Sequence, residues 1–189
     1  ATAELNSASC TVGVAGGCPQ GGVLSPLLWA MVIDELLQLI GADDNLLCQA
    51  YSDDVVLSVA GRNMQVIAER LNMILQIVAR WCRQNGLSVH PDKMFVVVFS
   101  RGRTRPVLPP IILDNFRLVE VDEVKYLGLL FDRKLSWHPH ITAACRKAIA
   151  NLMICNRCCG RRWGARASTV LWMYRMVVLP SLTYGCLVW

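Results

Sequence analysis

Apolar residues between positions 25 and 41 recur at the three- and four-residue spacing of an amphipathic helix. Ser25 is in a suitable position for an N-cap, Pro26 suits the first helical position, and Gly41 follows the last apolar residue. The segment is therefore predicted to be a helix with one buried stripe. The residues expected in that stripe are Leu28, Met31, Val32, Leu36 and Leu39.

A second helical pattern extends from Asn63 to Asn85, with Gly86 as its stop. Its predicted inward face consists of Val66, Ile67, Leu71, Ile74, Leu75, Val78 and Trp81. Helical spacing returns near Ile141 and continues to about Val178. Trp29, Trp81 and Trp172 all lie in apolar helical stripes and are expected in the core.

Strand patterns lie between these helices. The stretch "NLLCQAYSDDVVLSVAG" predicts a strand, a tight turn and a second strand. "MFVVVFS" predicts a short buried strand, and "RGRTRPVLPP" a basic, proline-rich loop. Residues 111–137 predict two or three short strands with turns. The resulting fold class is α+β, followed by a mainly helical region.

Composition narrows the class of protein. The 189 residues are 54% apolar, yet no apolar run reaches the roughly 18 residues of a membrane helix. We therefore expect no membrane association. The nine irregularly spaced cysteines favour reduced thiols in an intracellular, non-secreted protein. Without an initiating Met or a polar tail, the sequence is expected to be a fragment of a larger protein.

Charge divides the chain unevenly. Residues 1–132 contain 10 basic and 14 acidic side chains, whereas residues 133–189 contain nine basic side chains and no acidic one. Such a stretch is typical either of a surface that binds a polyanion or of a solvated cationic face.

Asp53 and Asp54 are adjacent at the predicted turn between two apolar strands. One interpretation is an ordinary exposed turn, because Asp is a common turn former. Calcium binding is another, but the loop lacks the alternating oxygen ligands of a dedicated site. The third is a magnesium site for phosphoryl transfer, since Mg²⁺ is usually held by one or two carboxylates with substrate phosphates.

Four blocks in order resemble reverse transcriptases of the non-LTR (LINE-type) retrotransposon branch. They are "GCPQGGVLSPLLW", "YSDD", "NGLSVHPDKMFVVVFS" and "VKYLGLLFDRKLSWHPHI", and "LPSLTYGCLVW" resembles the end of the thumb-like region. "YSDD" is similar to the family's Tyr-x-Asp-Asp box. Together the blocks cover nearly the whole chain, so the resemblance is specific.

The resemblance implies roles for particular residues. Asp53 and Asp54 would be catalytic, metal-binding carboxylates, with Asp53 as the direct ligand and Asp54 in support. A longer set would contact substrates: Tyr51 and Ser52 at the primer end, Gln20 and Gly21 at the incoming nucleotide, Lys93 near the triphosphate, and Tyr126, Leu127 and Gly128 as the primer grip. Ordinary solvation is the alternative for Lys93.

The resemblance also implies an architecture and partners. Residues 1–132 would be the C-terminal part of a polymerase palm, with an antiparallel sheet and packed helices, and residues 133–189 a basic helical thumb-like region. The cofactor would be two Mg²⁺ ions, with Mn²⁺ as an alternative. The partners would be an RNA template, a DNA primer, deoxynucleoside triphosphates and the remainder of the parent polyprotein. The family implies a nuclear site of action.

One departure from the family pattern limits the expected activity. The family needs a third carboxylate upstream, but Glu4 is the only acid in residues 1–18, and Asp34, Glu35, Asp43 and Asp44 are expected on the solvated surface. The chain is therefore expected to be inactive alone. The alternatives are a non-catalytic nucleic-acid-binding module and a decayed element copy.

Two further clusters have competing interpretations. Cys155, Cys158 and Cys159, with Cys145 upstream, are one candidate zinc cluster, but packing residues on a helix are favoured because no second ligand pair has suitable spacing. His138 and His140 match the family pattern and are expected to be structural.

Overall fold

The computed structural model describes residues 2–5, 8–11, 17, 21–41, 45–158 and 163–189, the first two ranges by their backbone only. The chain divides into two compact units. The first unit comprises Ala1–His90 and Pro109–Arg117, and the second comprises Pro91–Leu108 and Leu118–Trp189. Both contain helices and strands, so the α+β prediction is confirmed at the level of mixed secondary structure.

The first unit contains two long helices and three strand pairs. The helices are α1 (Ser25–Ile40) and α2 (Met64–Gln84). The strands are β1 (Thr2–Leu5), β2 (Ala8–Thr11), β3 (Leu46–Tyr51), β4 (Asp54–Val59), β6 (Ile112–Leu113) and β7 (Phe116–Arg117). They pair antiparallel as β1–β2, β3–β4 and β6–β7.

The ends of α1 and α2 show which capping signals were correct. Helix α1 begins at Ser25, and Leu24 rather than Ser25 occupies the N-cap position. Proline at the start and Gly41 at the end were both predicted correctly. In α2 the side chain of Asn63 accepts a hydrogen bond from the Gln65 N–H, which satisfies one unpaired donor of the first turn.

The buried face of α1 differs from the predicted stripe. Leu36 is buried, but Leu28, Met31, Val32 and Leu39 are exposed. The face that packs into the core instead consists of Trp29, Ile33, Leu36 and Ile40. The sequence could not distinguish the two faces because apolar residues occur on both.

Helix α2 packs against α1 through Ile74, Val78, Trp81 and Cys82. The prediction for this helix was correct except for Val66, which is exposed, and Leu71, which is only partly buried. Because its polar and apolar positions separate cleanly, its inward face could be derived from spacing alone. Trp81 is in the core as predicted, and Trp29 is partly buried against that core. Trp172, in the second unit, is exposed, contrary to the prediction.

The second unit contains short strands followed by helices. The strands are β5 (Phe95–Val96), β8 (Val119–Glu120), β9 (Glu123–Tyr126) and β10 (Leu129–Asp132). Strands β5 and β8 are parallel, and β9 and β10 form an antiparallel hairpin. Only two residues of "MFVVVFS" are therefore in a strand, although Val98 is buried. Residues 111–137 contain five strands instead of two or three, because two-residue strands are too short to produce a pattern.

The helices of this unit are α3 (His138–Arg157), α4 (Ala167–Met173) and α5 (Leu179–Thr183). A π-helical segment, Tyr174–Val178, connects the last two. It precedes Pro180, which cannot donate a backbone hydrogen bond, and a widened turn accommodates that loss. Ala148, Cys155 and Val178 form the core of these helices. Within the described residues, no helix combines the length and apolarity of a membrane span.

Candidate nucleotidyl-transfer site

The predicted acidic hairpin is present in the first unit. Strands β3 and β4 pair so that Tyr51 lies opposite Asp54, which leaves Ser52 and Asp53 as a two-residue turn. Ser52 has a φ of 54°, the positive value that II′ hairpin turns require at their first central residue. Alternation along β3 directs Leu46 and Ala50 toward the core and Tyr51 toward solvent.

Asp53 and Asp54 are both exposed at this turn. Tyr51, the neighbour of Asp54 across the two strands, is 63% exposed. In the part of the chain described, no group of three or more His, Cys, Asp or Glu side chains could hold a metal ion. The two carboxylates fit Mg²⁺ only as partial ligands, in the way that one or two carboxylates hold it together with substrate phosphates.

Trp29 binds this turn from helix α1. Its indole Nε1–H donates a hydrogen bond of 2.6 Å to the carbonyl oxygen of Ser52. In the β3–β4 register this carbonyl belongs to the turn, so the indole provides a partner for a group outside the strand ladder. The bond therefore ties the "GCPQGGVLSPLLW" block to the acidic turn, a link that the core prediction for Trp29 missed.

Of the other predicted residues of the first unit, the structure describes Gly21, Asp34 and Glu35. Gln20 lies outside the described residues. Gly21 is exposed with a φ of 83°, and a Cβ built on it meets no atom within 4 Å. Its backbone conformation, rather than crowding, is therefore the reason that glycine suits this position. Asp34 and Glu35 are exposed, as predicted, and Asp43 and Asp44 lie outside the described residues.

In the second unit, Lys93 ends a short 3₁₀ helix, Pro91–Lys93, and is exposed. Tyr126 and Leu129 pair across β9 and β10, so Leu127 and Gly128 form another two-residue turn. Both have positive φ, 46° and 83°. The three predicted primer-grip residues therefore form one hairpin tip. Its function, like that of Lys93, Asp53 and Asp54, stays a prediction.

Asp132 supports the chain where it leaves this hairpin. Its buried carboxylate accepts hydrogen bonds from the backbone N–H groups of Lys134, Ser136 and Trp137. Burial by itself would raise the pKa of Asp132, but the donors from Ser136, Trp137 and Lys134 outweigh it and lower the pKa below its usual value. The carboxylate thus holds the loop that leads from β10 into α3.

The basic residues of the acid-free region are mostly available to solvent. Arg133 is an exception, since its side chain is largely covered and its Nε lies 3.9 Å from Asp122. The exposed cations described after it are Lys134, Arg146, Lys147, Arg157, Arg166 and Arg175. Arg146 and Arg157 are 11 residues apart on α3, about three turns, and so lie on one face.

Two secondary predictions also have outcomes here. Cys155 is buried against Ala148 and Val178, as expected for a packing residue, but Cys145 and Cys158 are exposed. Cys159 lies outside the described residues. His140 is buried, and its Nδ1 accepts a hydrogen bond from the Leu130 N–H. These contacts support the structural interpretation of His140, whereas His138, the first residue of α3, is exposed.

The described residues thus contain an acidic hairpin turn in an α+β unit and exposed cations on later helices. The family model for reverse transcriptase (RNA-dependent DNA polymerase) matches residues 5–131, more than half of the chain. The chain belongs to this family, and the recognition made from its motifs is confirmed.

Relatives with curated descriptions match almost the full chain. A probable RNA-directed DNA polymerase from transposon BS of Drosophila melanogaster is 28% identical over 97% of this chain and 21% of its own length. A putative 115 kDa protein in the type-1 retrotransposable element R1DM of the same species is 26% identical over 100% of this chain and 18% of its own. The RNA-directed DNA polymerase from mobile element jockey of Drosophila funebris is 23% identical over 91% and 19%.

The chain therefore spans about a fifth of the length of these three relatives. Their names agree with the non-LTR retrotransposon branch that the motifs indicated. No solved structure matches the chain.

Proposed function

We propose that this chain is the C-terminal palm and thumb-like part of a non-LTR retrotransposon reverse transcriptase. The palm would comprise residues 1–132 and the thumb-like region residues 133–189. The reaction is RNA-templated addition of deoxynucleotides to the 3′-OH of a DNA primer, with release of pyrophosphate. The observation that supports it most is the exposed Asp53–Asp54 pair on a hairpin turn inside the region that matches the family.

In this proposal Asp53 and Asp54 hold divalent cations, Mg²⁺ in preference to Mn²⁺. Two such ions, when bound, stabilise the attacking and leaving oxygens of an in-line displacement. The rigid β3–β4 ladder keeps the carboxylates in place, and their exposure leaves room for the triphosphate. The nearby strands thus provide the preorganised geometry that phosphoryl transfer needs.

Other residues contact the substrates. Tyr51 and Ser52 line the primer end beside the carboxylates, and Gln20 and Gly21 pack against the incoming nucleotide. Lys93 neutralises or protonates the leaving pyrophosphate. Tyr126, Leu127 and Gly128 contact the primer strand, and the exposed cations of residues 134–175 contact template and primer phosphates.

The 189-residue chain alone is proposed to bind nucleic acid without extending a primer. Its residues 1–18 contain Glu4 as the only acid, so the third carboxylate would come from the remainder of the parent polyprotein. In isolation the chain would then act as a nucleic-acid-binding module. The family further implies that the parent protein acts in the nucleus, and a decayed, functionless element copy is the competing explanation.

Primer extension tests the catalytic assignment. A longer parent chain that adds the upstream acidic strand should extend oligo(dT) on poly(rA) when Mg²⁺ is present. Asp53→Asn should reduce the rate by at least about a hundredfold, because the lost charge acts in the transition state. Asp34→Asn, an exposed carboxylate on α1, is the matched control and should leave the rate unchanged. Full activity of Asp53→Asn would refute the metal-ligand role.

Salt titration tests nucleic-acid binding by the 189-residue chain. Affinity for an RNA–DNA duplex should decrease steeply between about 50 and about 200 mM salt. Arg146→Gln should lower the magnitude of the log–log salt slope by about one, since each phosphate contact releases roughly one counterion. Arg105→Gln is the control, because Arg105 is paired with Glu120 and Asp122. A log–log salt slope near zero for the unsubstituted 189-residue chain would contradict a phosphate-binding thumb.

A further inference from the structure

The turn predicted to be the primer grip is held by a side chain 57 residues further along the chain. Tyr184 Oη donates a hydrogen bond of 2.9 Å to the carbonyl oxygen of Leu127. Both residues belong to the second unit. Tyr184 follows α5 and is 56% exposed, so its ring is not simply a buried core residue.

The conformation of this turn needs such support. Leu127 has a φ of 46°, a value that is costly for a branched side chain, and Gly128 follows with 83°. Positive φ at both central residues is the I′ type of hairpin turn, which usually contains Asn or Gly first rather than Leu. The Tyr184 hydroxyl bonds to the carbonyl of the unfavourable residue and therefore stabilises its orientation.

The turn and the segment after α5 also interlock sterically. A Cβ built on Gly128 would lie 2.9 Å from Tyr184 Cε1, which is too close for a methyl group. In the other direction, a Cβ on Gly185 would overlap Leu129 Cδ2. Each segment therefore has a glycine where the other comes close, which is the arrangement expected of two fitted surfaces.

Two more side chains connect this contact to the rest of the unit. Trp189 Nε1 donates to the Tyr184 carbonyl at 3.0 Å, and the Trp189 ring lies edge-on to His140 with centroids 5.7 Å apart. His140 in turn accepts the Leu130 N–H through Nδ1 at 3.3 Å. His140, Tyr184 and Trp189, hereafter the aromatic clamp, thus contact both the turn and the strand that leaves it.

We propose that the aromatic clamp is a positioning element that keeps Leu127–Gly128 in the shape that receives the primer 3′ end. This inference rests on the proposed function, because it takes the turn as the primer contact. Leu127 is 39% exposed and so remains accessible to a nucleic acid while its carbonyl oxygen is bonded to Tyr184. Tyr184 itself contacts protein and acts through the turn.

Tyr184→Phe in the 189-residue chain isolates the clamp, since it removes the hydroxyl and keeps the ring. Hydrogen exchange of peptides covering residues 124–131 should accelerate about threefold to tenfold, the effect of losing one hydrogen bond. Peptides from α2 should exchange at an unchanged rate. Tyr174→Phe, the same substitution at an exposed tyrosine of the same unit, is the matched control and should change neither.

A binding measurement tests the positioning role. Its readout is the preference for a recessed 3′ end, which would not change if Tyr184 had only a structural role. The probe is a DNA primer with a 3′-terminal 2-aminopurine, annealed to RNA either with a recessed 3′ end or as a blunt duplex of equal length. The unsubstituted 189-residue chain should bind the duplex with the recessed 3′ end more tightly than the blunt duplex. Tyr184→Phe should reduce that preference about threefold or more, while affinity for the blunt duplex and its salt slope stay constant.

Hydrogen exchange and duplex binding together distinguish failure of the clamp, failure of its positioning role and failure of the proposed function. Unchanged exchange in Tyr184→Phe overturns the clamp itself, whatever the parent chain binds. Faster exchange with an unaltered preference for the recessed end overturns the positioning role. Equal binding of recessed and blunt duplexes by the unsubstituted 189-residue chain overturns the primer contact of the proposed function. It also overturns the role of the aromatic clamp in placing the primer. Faster exchange together with a reduced preference supports the inference.

Discussion

Two hairpin turns, Ser52–Asp53 in the first unit and Leu127–Gly128 in the second, share one local design. Each follows a tyrosine, and each begins with a non-glycine residue at positive φ, 54° for Ser52 and 46° for Leu127. In each, the carbonyl of that residue accepts a hydrogen bond from a distant aromatic side chain. The donor is the Trp29 indole at 2.6 Å in one case and the Tyr184 hydroxyl at 2.9 Å in the other.

The second residue of each turn is where they differ. Asp53 is exposed and has no positive φ, so its side chain is available for chemistry. Gly128 has positive φ and faces the Tyr184 ring, so its lack of a side chain is a packing requirement. Positive φ at the first residue and an aromatic donor to its carbonyl therefore occur in both turns, one of which presents carboxylates and the other a closely backed apolar tip. Of the two turns, the first has carboxylate side chains and the second has none.

A substitution of Gly128, the second residue of the Leu127–Gly128 turn, should have the largest effect on stability. Gly128→Ala should destabilise the chain by roughly 2 kcal/mol, because the new methyl group meets both a disfavoured φ and the Tyr184 ring. Asp53→Ala, the equivalent position of the first turn, should change stability by no more than about 0.5 kcal/mol. Urea unfolding followed by circular dichroism measures both.

Gly86→Ala is the control that separates strain from contact. Gly86 has a φ of 67° but nothing within 4 Å of a built Cβ, so about 1 kcal/mol is expected from the backbone alone. If Gly128→Ala were no more costly than Gly86→Ala, the steric contact with Tyr184 would have no energetic weight.

Acid should weaken the support of the second hairpin through Asp132. Because the folded-state pKa of this carboxyl is lowered, its stabilising contribution is complete above the unfolded-state pKa of about 3.9 and is lost as the pH falls through the folded-state value. Asp132→Ala should cost on the order of 2 kcal/mol at pH 7, since three backbone donors lose their acceptor.

Urea unfolding as a function of pH measures this effect. The variant should also lose the part of the acid dependence that comes from Asp132, so the stability difference from the parent chain should shrink below about pH 4. A difference that is constant from pH 7 to pH 2 would show that the carboxylate charge has no part in holding the loop.

Removing the indole donor at the first turn should lower stability less than Gly128→Ala or Asp132→Ala does. Trp29→Phe keeps an aromatic ring against the core and removes the N–H, so a loss of about 1 kcal/mol is expected. Trp172→Phe, at an exposed tryptophan, is the matched control and should be neutral.

Mn²⁺ titration by NMR sharpens the comparison of the two turns. If Asp53 and Asp54 bind the ion, the Trp29 indole N–H resonance should broaden strongly, because its partner Ser52 is adjacent to Asp53. In Asp53→Asn the same resonance should broaden less at an equal Mn²⁺ concentration. Equal broadening in the two proteins would argue against a preferred site at the acidic turn.

The elements that the sequence predicted well have one clear pattern each. Helix α2 separates its polar and apolar faces, and the β3–β4 hairpin alternates around a short polar turn, so spacing alone located both. The prediction of the buried face of helix α1 was wrong because apolar residues occur on both of its faces. Their spacing is compatible with two buried stripes, and only tertiary contacts select one. The two-residue strands between 112 and 120 gave no periodic signal.

The candidate site shows the same division. Asp53 and Asp54 were predicted as site residues because adjacent acids between buried strands are chemically conspicuous, and the ordered motifs identified the reverse transcriptase family. Trp29 was assigned to the core and Tyr184 was assigned no separate role, since a hydrogen bond across 23 or 57 residues leaves no trace in local spacing.

The sequence by itself determined the family, helix α2 and the position of the acidic turn, because these depend on residue type and short-range periodicity. Only the tertiary structure decided which face of α1 is buried, that Arg133 is paired with Asp122, and which side chains hold the two turns. Those outcomes depend on groups far apart in the chain meeting at hydrogen-bond distance, and the free energy of each contact exists only once the fold brings them together.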